Sequence, residues 1–183
     1  MFQQKNWPNL LTCLRVLTVP AIVASFYLDH SIIGPKASAL LFLLASITDF
    51  LDGYIARKYK LESKLGKIFD PIADKILVST VLITLVKAGM ANELLCSIII
   101  AREIIASGIR EFAASKDVRI NVYLVSKFKT FAQMVAILFI LCSRFMMQEL
   151  FLYLGNLFLL AAAALSVLTV FWYIKAIVSD AQD

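Results

Sequence analysis

A chain of 183 residues, 61% hydrophobic and with mean hydropathy +0.83, has room for one membrane domain over 1–183 and none for a separate soluble one. Its net charge of +5 does not point to nucleic acid, because the cations are sorted by position along the chain rather than gathered in one basic patch. The apolar runs lack the polar alternation of a membrane barrel, so an all-α bundle follows, its backbone groups satisfied inside each helix.

About six transmembrane helices are expected, over 10–28, 36–57, 70–90, 92–115, 128–147 and 150–178. An interfacial segment precedes the first, with Trp7 suited to the head-group level. Lys5, the apolar run and Ala24-Ser25 imitate a signal peptide, but Arg15 interrupts the run, and an uncleaved helix is expected. His30 falls in a solvated turn, and Gly34-Pro35 precedes the second helix. That helix ends in Asp49, Asp52, Gly53, Ala56 and Arg57. A 12-residue connection over 58–69, carrying Lys58, Lys60, Lys64, Gly66 and Lys67, leads to Asp70, Pro71 and Asp74. Pro71 is expected in the first turn of the third helix, where no N–H is needed, and Gly89 closes that helix. The fourth carries Arg102, Glu103, Arg110 and Glu111, and Lys127-Phe128-Lys129-Thr130 opens the fifth. On the sixth, Ala161 to Ala164 with Ser166 offer a small-residue packing face. Cys13, Cys96 and Cys142 lack metal-ligand spacing and read as small buried hydrophobes.

Of 18 Lys and Arg, only Lys36, Lys87 and Arg144 fall at the turns after helices one, three and five. The remaining cations lie toward the opposite side. By the positive-inside rule, both termini and the aspartate-rich hairpin face the cytoplasm, with some of the basic excess free to attract anionic lipid.

The aspartates carry the chemistry. Asp49 and Asp52 are i,i+3 and Asp70 and Asp74 are i,i+4, so each pair shares a helix face beside a long apolar run. An ionised side chain there costs about 2.5–3.5 kcal/mol even on the gentlest insertion scale. Four facing carboxylates repel unless a positive group lies between them, and a divalent metal is the natural candidate. Hard ions such as Mg²⁺ take oxygen ligands, and four carboxylates from two helix ends suit two ions about 3.5–4 Å apart. Taken singly, Gly53 and Ala56 fit close helix packing as well as the close approach of a ligand. Arg57 fits a basic helix end as well as a bidentate fork on phosphate. Arg102 and Arg110, eight apart on one face, with Lys127 and Lys129, suit an anionic acceptor, or pair with Glu103 and Glu111.

Asp49-x2-Asp52-Gly53-x2-Ala56-Arg57-x8-Gly66-x3-Asp70-x3-Asp74 resembles the signature of the CDP-alcohol phosphotransferases, with every specified position present at the right spacing. The resemblance implies Asp49, Asp52, Asp70 and Asp74 as ligands of two Mg²⁺ or Mn²⁺ ions. It assigns Asp52, Gly53, Ala56, Arg57 and Gly66 to the CDP end of a lipid donor, and Asp74 to the role of general base. It further implies a homodimer in the bacterial inner membrane, with the active site facing the cytoplasm and no nucleic-acid partner. Arg-Glu…Ser-Gly-x-Arg-Glu from Arg102, Lys-x-Lys-Thr from Lys127 and Pro8-Asn9-Leu10-Leu11-Thr12-x2-Arg15 resemble the branch whose acceptor is glycerol 3-phosphate rather than serine or choline. Ser126 stands where that branch often has Gly. The expected reaction joins CDP-diacylglycerol to glycerol 3-phosphate with release of CMP; Arg102, Arg110, Lys127 and Lys129 would hold the acceptor phosphate. The same cations suit inositol phosphate or phosphatidylglycerol as acceptor. A divalent-cation transporter is the alternative from another class, although transporter acids usually lie near the midplane, not beside a basic loop.

Overall fold

A computed structural model describes the backbone of residues 7–27, 33–59, 64–115 and 123–180, and side chains over 15–27, 33–49, 51, 69–113 and 128–175. Six helices appear in order: α1 (Trp7–Tyr27), α2 (Ile33–Tyr59), α3 (Lys64–Lys87), α4 (Glu93–Ser115), α5 (Tyr123–Cys142) and α6 (Gln148–Asp180). No strand occurs among the described residues. The expected helix count holds, and several ends move. Trp7 opens α1 rather than preceding it, and α5 runs from Tyr123 to Cys142, not from 128 to 147. Residues 143–147 instead form a turn, in which Phe145 and Met146 N–H both donate to Cys142 O. Helix α3 begins at Lys64, so Pro71 lies inside it rather than in its first turn. A proline there removes one i→i−4 bond, which a membrane helix tolerates where neighbours re-satisfy the carbonyl. His30 and Cys13 lie outside the described residues and described side chains respectively.

Each helix buries one stripe. On α1 it is Arg15, Val19, Ile22 and Phe26; on α2, Ser38, Phe42 and Ala45, with part-buried Asp49 next along it. On α3, part-buried Asp74 continues into Leu77, Val81 and Leu85. The charged groups therefore prolong the apolar stripes instead of opposing them. Large apolar side chains point outward on every helix, among them Leu17, Leu44, Ile83, Ile104, Phe131 and Phe171, while Arg15, Arg102 and Lys129 are buried. Among the described segments, only Gln148–Lys175 of α6 is long and apolar enough by length and composition to cross a membrane. Helices α3 and α4 carry their charges into the same segments that hold their apolar runs.

Helices α1, α2 and α3 form one group and α4, α5 and α6 another, joined where α2 meets α5 and α3 meets α4 and α5. Within the first group, α1 contacts both α2 and α3, whereas α2 and α3 do not touch among the described residues. Among the described residues, α1 is the element in fullest contact with both aspartate-bearing helices.

The turns at one end are closed by local chemistry. Gly89 adopts φ +69° past the end of α3; its N–H donates to Val86 O (2.9 Å) and Met90 N–H to Leu85 O (3.0 Å), a Schellman cap. Asn92 Oδ1 accepts from Leu94 and Leu95 N–H and starts α4. Asn156 of α6 ties that corner down by donating to Met90 O at 3.1 Å. Nearby, α5 and α6 approach so closely that a Cβ on Gly155 would meet Ile140 N at 3.0 Å and Ala136 O at 3.2 Å, as well as the Ile140 side chain. Backbone cannot yield as a side-chain tip does. Gly155→Val is expected to destabilise the chain by about 1–3 kcal/mol, read as a lowered midpoint of thermal unfolding in detergent.

Candidate active site

Arg15 Nη1 lies 2.8 Å from Asp49 Oδ1 and 2.8 Å from Asp74 Oδ1. One nitrogen of α1 thus holds the first aspartate of the motif, on α2, and the last, on α3. The guanidinium side chain is 3% exposed, whereas those of Asp49 and Asp74 are 32% and 37% exposed. The cation therefore closes the pair from the protein side and leaves the carboxylates open on the other. Asp70 lies one helical turn before Asp74 and is close enough for the two charges to repel. The side chains of Asp52, Gly53, Ala56, Arg57 and Gly66 lie outside the described ones; their backbones belong to the end of α2 and the start of α3.

A hard divalent ion needs oxygen donors converging from more than one element. Asp49 and Asp74 supply such donors from two helices, and the guanidinium nitrogen they share shows that one positive group can bridge them. The donor set fits a divalent metal on that ground. No three His, Cys, Asp or Glu residues among those described already stand close enough to hold an ion.

The second group of helices contains its own polar cluster. Arg102 of α4 donates through Nε to Ser166 O (3.2 Å) and Thr169 Oγ1 (3.1 Å), both on α6. Thr169 in turn donates to Ser166 O at 2.8 Å. Glu103 Oε1 accepts from Lys129 Nζ of α5 and lies 3.4 Å from Arg102 Nη1. Arg102 and Lys129 are buried, while Arg110 is exposed and near enough for its charge to be felt at both. Arg102 and Lys129 are thus tied inward, to Glu103 and α6. The Lys127 side chain lies outside the described ones.

In the sequence Arg15 interrupts an apolar run and ends the Pro8-Asn9-Leu10-Leu11-Thr12-x2-Arg15 segment, neither of which points to a partner, and nothing there marks Thr169. A usable signal existed for the first: Arg15 is the only charge between Lys5 and Asp29, and a lone cation in an apolar helix must find an acidic partner on another helix.

The family model described as CDP-alcohol phosphatidyltransferase matches residues 5–177, and the chain belongs to that family. A protein of Rickettsia felis named CDP-diacylglycerol–glycerol-3-phosphate 3-phosphatidyltransferase is 45% identical over 173 residues, covering 94% of this chain and 95% of its own. One of the same name from Salmonella choleraesuis is 38% identical over 184 residues, covering 98% and 99%. An Arabidopsis thaliana protein of that name, numbered 2, is 39% identical over 184 residues, covering 93% of this chain and 78% of its own.

Removing one partner of a buried pair leaves the other charged and desolvated. Lys129→Met is expected to destabilise the protein by about 3 kcal/mol, the low end for such a break because Arg102 stays near Glu103. Adding Glu103→Gln should recover more than half of that loss in thermal unfolding.

Proposed function

We propose that the chain is a phosphatidylglycerophosphate synthase. It transfers the phosphatidyl group of CDP-diacylglycerol to sn-glycerol 3-phosphate, giving phosphatidylglycerophosphate and CMP. The observation that carries this reading is the match, over nearly the full length of both chains, to relatives named for that reaction. The whole of 1–183 is read as one membrane domain of six spans, with both termini and the site facing the cytoplasm of a bacterial inner membrane. The outward apolar side chains and inward charges support the membrane placement, and the positions of the Lys and Arg residues along the chain support the orientation. A homodimer is proposed with it.

Asp49, Asp52, Asp70 and Asp74 would hold two divalent ions, Mg²⁺ or Mn²⁺. When bound, they supply positive charge for the diphosphate and the departing nucleotide. The rest falls to the chain itself. Asp52, Gly53, Ala56, Arg57 and Gly66 receive the CDP end of the donor, the small residues permitting close approach and Arg57 offering its fork. The acyl tails stay in lipid, so the donor enters sideways. Arg102, Arg110, Lys127 and Lys129 receive the acceptor phosphate, the exposed Arg110 meeting it first. The acceptor hydroxyl oxygen bonds to the phosphorus bearing diacylglycerol, the bond from that phosphorus to CMP breaks, and Asp74 takes the hydroxyl proton.

Purified protein with CDP-diacylglycerol, glycerol 3-phosphate and Mg²⁺ should release CMP and a lipid of phosphatidylglycerophosphate mass. Chelation should stop it. Asp70→Asn should lower turnover by at least about a hundredfold, the scale of losing one pre-organised electrostatic group, while the protein still inserts. Turnover retained in Asp70→Asn would count against the metal reading; no lipid product from folded protein would count against the acceptor.

A further inference from the structure

Arg15 is an expensive way to join three helices. Val19, Ile22 and Phe26 of α1 already pack with Ala39, Phe42, Leu77 and Val81 in one apolar core. Burying a guanidinium adds a desolvation cost that apolar side chains of similar size avoid. Its location is also specific: one nitrogen touches both Asp49 of α2 and Asp74 of α3, two members of the motif. It stands behind the carboxylates, while their outer sides remain about a third exposed. A divalent ion arriving from that open side meets a pair whose charge is already partly cancelled.

We propose that Arg15 is a built-in counter-cation that holds Asp49 and Asp74 together before a metal arrives and lowers the affinity of their site for a divalent ion; the proposal rests on the two-metal reading above. The reasoning is electrostatic. Without Arg15, Asp49 and Asp74 would attract a divalent ion with their full charge. With Arg15 in place, the ion also feels a fixed positive neighbour in a poorly screened site, so it binds less tightly alone. The same fixed charge favours the donor diphosphate, so Arg15 shifts the affinities for metal and donor in opposite directions, while the direct attraction between metal and donor persists without it. Arg15 also keeps the two carboxylates from repelling one another while no metal is bound. It is a positioning residue, acting through Asp49 and Asp74.

The test measures Mn²⁺ binding by electron paramagnetic resonance on purified protein in detergent micelles, with and without CDP-diacylglycerol, subtracting protein-free micelles. Arg15→Gln should bind Mn²⁺ at least about threefold more tightly than the unsubstituted protein when no lipid is present, because one fixed positive charge is gone, and the lipid should tighten Mn²⁺ by a similar factor in both. Arg15→Lys, which keeps the charge, should bind Mn²⁺ much as the unsubstituted protein does, and it carries the test should the Gln variant fail to fold. Mn²⁺ binding that is unchanged or weaker in Arg15→Gln, or as tight in Arg15→Lys as removal of the charge predicts, overturns the role of Arg15 and leaves the metal site standing. No Mn²⁺ bound by the unsubstituted protein, with or without lipid, removes the metal site and this inference together.

Discussion

A guanidinium held between two carboxylates on different helices is the constraint around which the first half of the molecule is organised. Arg15 cannot remain in an apolar stripe without acidic partners, and Asp49 and Asp74 cannot remain side by side without a cation. Each requirement answers the other. The result sets α1 against both α2 and α3, and the apolar stripes of the three helices then close along the direction that the ion pairs establish. Small buried residues, Ala45 on α2 and Ala73 on α3, lie next to the aspartates on these helices.

The second half repeats the principle with the signs reversed. Here cations on α4 and α5 converge, and Glu103 is the shared counter-charge, with Thr169 and Ser166 of α6 taking the remaining guanidinium hydrogen bonds. Buried polar groups are costly when half satisfied and rigidifying when fully satisfied. Among the described side chains, one cluster sets Asp49 and Asp74 around Arg15 and the other sets Arg102 and Lys129 around Glu103. The other end of the bundle is closed by the Gly89 cap, the Asn92 N-cap and the Asn156 clamp, local hydrogen-bonding devices that fix turns, and by half-buried Arg144, whose guanidinium lies over the Phe26 ring and donates to Phe26 O.

Much of this was legible in the residues. The number of helices follows from the apolar runs, and the closure of α3 at Gly89 from the one residue that adopts a positive φ without strain. The aspartate spacing fixes which carboxylates share a face, because helical periodicity leaves no freedom there. Boundaries were less legible. Helix α3 begins before Asp70 because Lys64, Leu65, Lys67, Ile68 and Phe69 are all competent helix formers, and Pro71 did not act as the start signal it resembled. Helix α5 stops at Cys142 because Ser143, Arg144 and Phe145 fold back through turn hydrogen bonds that no periodicity announces.

By itself, then, the sequence determined the helical class, the order of the helices and the local grouping of Asp49 with Asp52 and of Asp70 with Asp74, since all of these depend on neighbours a few residues apart. Only the tertiary structure decided that α1 stands in contact with both aspartate helices, that Arg15 is the cation shared by Asp49 and Asp74, and that Arg102 is tied to Thr169 of α6. Those pairings join residues tens of positions apart, and their partners are chosen by which helix faces meet. That choice comes from the packing of whole stripes and from the need to neutralise every buried charge at once, and no local pattern encodes it.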